Sequence, residues 1–203
     1  MPSSFNPKLQ SKHLEYKIVA ALERISEVLK RLLWDAATDY RLTPIQIQIL
    51  IFLYYHIKDK SKPLYLSEEF QISKASLSDT LKILEQKKLI QKKQDAADQR
   101  SYYILLTNKG KQTVEKIISF EKPLLDVIAS DLSQIEKEYF ADILIKIIYQ
   151  LYQKNIIQIQ RMCFTCKYFD NKKKEYFCNL LNKSLRNTEI RIDCPEYEKI
   201  SNQ

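Results

Sequence analysis

SKASLSDTLKILEQKKLI (residues 73–90), continued by QKKQDAADQRSYYILLTNKG (residues 91–110), decides how this chain folds. In the first half Leu77, Leu81 and Leu84 recur at steps of four and three, which sets them on one face of a helix. Ser73 stands just ahead of that repeat as an N-cap, so the pattern predicts a helix from Lys74 to about Lys87. Lys74, Ser76, Ser78, Asp79 and Lys82 are left to face outward. The composition then changes: Leu89 to Gln94 and Tyr102 to Thr107 are strand-like, and the polar stretch from Asp95 to Ser101 between them is the tip of a hairpin. Gly110, the only glycine of the chain, falls where the hairpin ends and a helix over Lys111 to Ile118 begins.

Upstream, Leu14, Ile18, Leu22, Ile25, Leu29 and Leu32 form one stripe of a helix running to about Ala37. Trp34 on that helix reads as a core residue. Thr43-Pro44 supplies an N-cap and a first-turn proline for an Ile/Leu-rich helix over Ile45 to Ile57, too apolar for a surface element. His56 closes this helix, where it can bond free carbonyls. Asp59 to Pro63 reads as a polar turn, Leu64-Tyr65-Leu66 as a brief strand and Ser67-Glu68-Glu69 as the start of a short helix that breaks at Gln71-Ile72. Two short helices about a tight turn, followed by a hairpin, make a helix-turn-helix with a wing. Downstream, Pro123 interrupts the helical stretch, and a long helix from Ile135 to about Gln160 is apolar on more faces than one core needs. The expected fold is mainly α with a small β-wing: a winged helix-turn-helix with long dimerisation helices over residues 1–160 and a small metal-binding module over residues 161–203.

The 203 residues carry 45% apolar and 29% charged side chains, which fits a globular chain and excludes collagen-like or wholly disordered architecture. A single glycine argues against phosphate-cradling loops and nucleophile elbows, and so against most nucleotide-binding enzymes. With a net charge of +8 the chain favours a polyanionic partner. No apolar run reaches the ~18 residues of a membrane span, and the polar N-terminus lacks a signal-peptide pattern, so the expected setting is cytoplasmic, with no membrane partner. Between Gln71 and Ser101 seven basic residues (Lys74, Lys82, Lys87, Lys88, Lys92, Lys93, Arg100) face four acidic ones, Asp79, Glu85, Asp95 and Asp98. Ser73 caps the helix that presents this charge. Ser76 and Ser78 suit hydrogen bonds to bases or phosphates, Lys74 and Lys82 suit phosphates, and Arg100 at the hairpin tip can enter a minor groove. A carboxylate is repelled by phosphate, so Asp98 reads as an internal brace of the wing.

These residues resemble the MarR family of winged-helix transcription regulators, bacterial dimers that bind pseudo-palindromic DNA. The likeness covers about Leu14 to Gln160. Ser73 to Ile90 is similar to the family's recognition helix and first wing strand, and Asp95, Asp98, Arg100, Leu106-Thr107 and Gly110 are similar to its wing pattern. Lys88 stands where the resemblance would place a glycine, and Asp79 where it would place a basic residue. The resemblance implies double-stranded DNA and a second copy of the chain as partners. It also implies room for a small-molecule effector in a cleft between the dimer helices and the DNA-binding lobe.

All four cysteines lie after residue 160, as Cys163-x2-Cys166-x11-Cys178-x15-Cys194. In a reducing compartment such thiols are metal ligands or redox groups rather than structural disulfides. The first gap suits chelation, and four thiolates complete a tetrahedral zinc site that would stabilise a module of about 40 residues, too small for a core of its own. Structural zinc is the favoured cofactor, with an iron–sulfur cluster and redox thiols as open alternatives. The basic neighbours Arg161, Lys167, Lys172, Lys173 and Lys174 are expected to lower the thiol pKa. The functional expectation is a homodimeric DNA-binding regulator with no catalytic residues. The competing readings are a metal-bound winged-helix adaptor for protein partners and an iron–sulfur redox-sensing regulator. A thiol oxidoreductase lacks the strand-helix setting its Cys-x2-Cys would need.

Overall fold

A chain with one glycine must turn its corners with other residues, and the helix ends are built accordingly. The computed structural model describes residues 2–157, 161–170 and 176–200. Two compact units divide it, residues 1–54 with 58–126 and residues 55–57 with 127–203.

In the first unit α1 (Pro7–Lys12), α2 (Leu14–Asp39), α3 (Pro44–Tyr55), α4 (Pro63–Glu69) and α5 (Lys74–Gln86) precede a two-stranded antiparallel wing. The wing strands, β1 (Ile90–Gln94) and β2 (Tyr102–Leu106), pair with Ile90 opposite Leu106 and Gln94 opposite Tyr102. Next come α6 (Asn108–Ile117) and α7 (Lys122–Asp131), separated by a 3-10 turn over Ile118–Glu121; the division between the units falls inside α7. Ile47, Ile49 and Leu50 of α3 are fully buried and meet Leu66, Leu77, Leu84, Ile104, Val114 and Ile117 in one core. The all-round apolar character of α3 is thereby used. By contrast, α2 buries only Ala36 and Ala37, and Leu14, Ile18 and Val19 remain exposed. Trp34, read from the sequence as core, is 59% exposed.

Helices α2, α4 and α5 end alike. Arg41, Gln71 and Lys88 take φ of 52°, 51° and 60°, and the next amide reaches back five residues, Leu42 to Ala37, Ile72 to Ser67 and Leu89 to Leu84. This is the left-handed helix stop that glycine normally fills, and each non-glycine residue there carries about 1–2 kcal/mol of strain. Lys88, set where the resemblance expects glycine, adopts glycine's conformation. Gln71 makes the turn between the two helices of the helix-turn-helix.

One expected element is replaced. Leu64-Tyr65-Leu66 is helical, not a strand, because Pro63 at the first helical position has the φ a helix start needs and follows an extended Lys62. Ser67 therefore lies inside α4, where its hydroxyl donates to the Leu64 carbonyl at 2.8 Å, rather than capping a helix of its own.

The second unit contains α8 (Gln134–Gln153), opened by a capping box between Ser133 and Glu136. Helix α8 stops earlier than its apolar run suggests. Asn155 at φ 56° takes the same left-handed stop, with the Ile156 amide bonded to the Leu151 carbonyl. The expected end near Gln160 lies outside the described residues. A three-stranded antiparallel sheet of β3 (Phe169–Asp170), β4 (Tyr176–Cys178) and β5 (Lys183–Leu185) follows. Ile145, Ile148 and Tyr149 of α8 pack with Met162, Phe164, Phe169, Tyr176, Leu185 and Ile190 into one small core. The sequence places the boundary of the second module at residue 161, whereas the compact unit takes in α8 as well. One face of that helix supplies the apolar area that 40 residues lack. The other face, with Ile135, Tyr139 and Ile143 at four-residue steps, is 67%, 68% and 54% exposed.

Candidate nucleic-acid interface

Helix α5 sorts its residues as its period dictates. Leu77, Leu81 and Leu84 are buried while Lys74, Ser76, Ser78, Asp79 and Lys82 are exposed. Ser73 Oγ accepts the Ser76 amide at 3.0 Å and also bonds Ser76 Oγ at 2.8 Å, so its first duty is the helix start. Ser78, Lys74 and Lys82 present unencumbered faces to solvent. The outward row on α5 is thus two cations, two hydroxyls and one carboxylate. Lys92 on β1 is tied to Glu85 at 2.8 Å, a bond that raises the pKa of its ammonium.

At the wing tip Asp98 Oδ1 accepts the Arg100 amide at 3.0 Å and lies 3.5 Å from Arg100 Nε, while the Arg100 side chain is 95% exposed. Asp98 braces the tip, as expected. A second brace escapes sequence reading. Asp95 is buried, its Oδ2 accepts from Lys62 Nζ at 2.7 Å and its Oδ1 from the Ala97 amide at 3.0 Å. The Lys62 ammonium, together with that amide, holds the Asp95 carboxyl down at about 2. Lys58 Nζ sits 3.9 Å above the Tyr103 ring, so the tip end of the wing is clamped to the turn before α4 by two cations and a carboxylate. A lone lysine 33 residues upstream of its partner gives no sequence pattern by which to find the pair.

In the second unit, the four thiols line one pocket. Cys163 opens a 3-10 turn closed by the Cys166 amide on its carbonyl at 3.0 Å, and Cys178 ends β4. The Arg191 amide donates to Cys163 Sγ at 3.3 Å, and its guanidinium to Cys194 Sγ at 3.6 Å. All four are free thiols. Among the described residues, no three His, Cys, Asp or Glu groups are gathered so as to hold a metal ion. The expectation of lowered thiol pKa is reversed: burial pushes Cys163 and Cys194 up. The nearby cations are engaged elsewhere, Lys167 with Glu198 and Arg161 with Asp193, and Lys172, Lys173 and Lys174 lie outside the described residues. His56, expected to cap a helix end, has Nε2 3.0 Å from Asp193 Oδ1. Burial alone would raise the Asp193 pKa, but the bonds from His56 and Arg161 hold it well below the usual carboxylate range.

Residues 31–117 match the sequence profile of a family described as transcriptional regulator SarA/Rot. Among solved structures, S. aureus MepR in its DNA-binding conformation and the S. aureus MepR–DNA complex are each 28% identical, with a TM-score of 0.56, covering 66% of this chain and 98% and 97% of theirs. The transcriptional regulator Tm0710 from Thermotoga maritima is 25% identical over 70% of this chain and 99% of its own, with a TM-score of 0.51. Over about two thirds of its length the chain is thus similar in sequence and in its winged-helix fold to these transcriptional regulators. Among the described residues no helix is long and apolar enough to cross a membrane.

Proposed function

We propose that the chain binds double-stranded DNA as a homodimer, each copy laying α5 in a major groove and its wing in the neighbouring minor groove of a two-fold-related half-site. The observation that carries this reading is the exposed row Lys74, Ser76, Ser78 and Lys82 on α5, beside a braced wing whose Arg100 extends into solvent. Hydroxyls and ammonium groups on a helix of this width fit phosphates and major-groove edges, and a guanidinium fits the negative potential of a narrow minor groove. Similarity to a chain solved on DNA, S. aureus MepR, supports the same reading. So does the exposed apolar stripe of α8, which two copies related by a two-fold axis can cover. Such a regulator works in the cytoplasm.

Selection of bound duplexes from a random pool, followed by anisotropy on the enriched sequence, tests the placement of this surface. Arg100→Ala is expected to weaken binding about tenfold, with discrimination lost mainly at A·T-rich flanks. Lys74→Ala lowers affinity evenly across sequences and flattens the salt slope by about one unit. Unchanged affinity in both variants, with native circular dichroism, overturns the placement.

A further inference from the structure

Between Gln71 and Ser101 the chain carries four carboxylates, and three of them are held by cations: Glu85 by Lys92, Asp95 by Lys62 and Asp98 by Arg100. Asp79 is the exception. It is exposed on α5, and among the described residues no side chain pairs with it, not even Lys82 one turn further on. At 100° per residue Asp79 lies about 170° around the helix from the Leu77, Leu81 and Leu84 stripe, while Ser76 and Ser78 lie about 100° from it on the two flanks. Over the first two turns of α5 the side chain aimed most directly away from the core is therefore an unpaired carboxylate, set in a row that is otherwise cationic and hydroxylic.

The consequence rests on the proposed docking of α5 in a major groove, where the flanks of the helix meet the groove walls and the residue opposite the core meets base edges. A carboxylate there is repelled by the phosphates and by every acceptor on the groove floor, namely guanine N7 and O6, adenine N7 and thymine O4. Only the exocyclic amines donate. Adenine N6 has the N7 acceptor beside it on the same base, whereas cytosine N4 has a C–H neighbour. We infer that Asp79 is a specificity-determining residue that accepts a hydrogen bond from cytosine N4 and so fixes a C·G pair at one position of each half-site. Its charge weakens binding to duplex in general and is compensated only where a cytosine amine meets it. Discrimination then comes from repulsion at wrong sites as well as from the contact at the right one.

The test runs selection of bound duplexes in parallel on the full-length chain, Asp79→Ala and Asp79→Asn, with anisotropy on the enriched sequences. The wild-type chain should return cytosine at one position per half-site. Replacing one such C·G by T·A, which sets a carbonyl oxygen against the carboxylate, should cost about tenfold in affinity. Asp79→Ala should lose that preference, keep the rest of the operator and bind scrambled duplex more tightly than the wild-type chain does. Asp79→Asn should move the preference to adenine, because a carboxamide bridges N6 and N7. Both variants should keep native circular dichroism and the wild-type urea midpoint, since Asp79 is exposed and unpaired. The inference alone is overturned if Asp79→Ala selects the wild-type operator unchanged, or if the position it relaxes carries a base other than cytosine in the wild-type selection. A wild-type chain that selects no sequence overturns the proposed docking, and this inference with it.

Discussion

Replacing Gly110 by alanine will cost the winged-helix unit about 3 kcal/mol of stability. A Cβ there would lie 2.0 Å from the Leu89 carbonyl oxygen and 3.0 Å from its carbon, well inside contact distance. That carbonyl cannot swing away, because it accepts the Thr107 amide at 3.0 Å and lies 3.3 Å from the Thr107 hydroxyl, which also bonds the Lys88 carbonyl at 2.7 Å. Alanine offers about 1 kcal/mol of helix propensity over glycine in α6. The clash wins, since relief requires prising β1 from the start of α6 and breaking the bonds that join wing to helix. Urea unfolding followed by circular dichroism checks the value. An unchanged or raised midpoint would show that the crossing is looser than the 2.0 Å approach implies.

Tyr139→Glu/Ile143→Glu is expected to convert the proposed dimer to a monomer and to weaken operator binding about a hundredfold or more. Both side chains lie on the exposed stripe of α8, opposite the face that packs with Met162 and Phe164. Two carboxylates buried in a symmetric interface meet two more from the partner, a desolvation and repulsion cost of several kcal/mol. The fold of each chain is spared because neither residue belongs to its small core. Losing the second half-site forfeits the effective-concentration gain of about 10²–10⁴ that two linked binding modules share. Light scattering at about 10 μM and anisotropy on the selected duplex read both effects. A monomeric wild-type chain, or a variant that stays dimeric, would contradict the assignment of this face.

Helix α5 and the wing are legible in the sequence because their determinants are local. Ser73, the four- and three-residue spacing of Leu77, Leu81 and Leu84, and the polar hairpin tip each act within a few residues of themselves. Where tertiary partners decide, sequence reading falls short. Leu64 to Leu66 has strand composition, yet Pro63 and the packing of Leu66 against Leu77 and its neighbours make it helical. The Asp95–Lys62 clamp joins residues far apart in the chain, and nothing around Lys62 marks it as the partner of the wing's Asp95. Apolar excess on α8 is visible beforehand. Its division between a tail-facing and an exposed face becomes visible only once the sheet around Phe169 and Tyr176 is in place. Glycine scarcity hid the helix stops too, since Arg41, Gln71, Lys88 and Asn155 turn corners for which they have no particular preference beyond asparagine's.

On the proposed function, α5 and the wing form a cationic surface that reads a duplex. The most direct test is the salt dependence of the wild-type chain on the selected duplex and on a scrambled one, followed by anisotropy. Two copies contacting about 6–10 phosphates should lose about 10³–10⁵ in affinity between about 50 and 200 mM salt. The selected duplex should remain at least about 10³-fold preferred throughout. Affinity that stays flat across that range, or that is equal for the two duplexes at every salt concentration, would contradict the account.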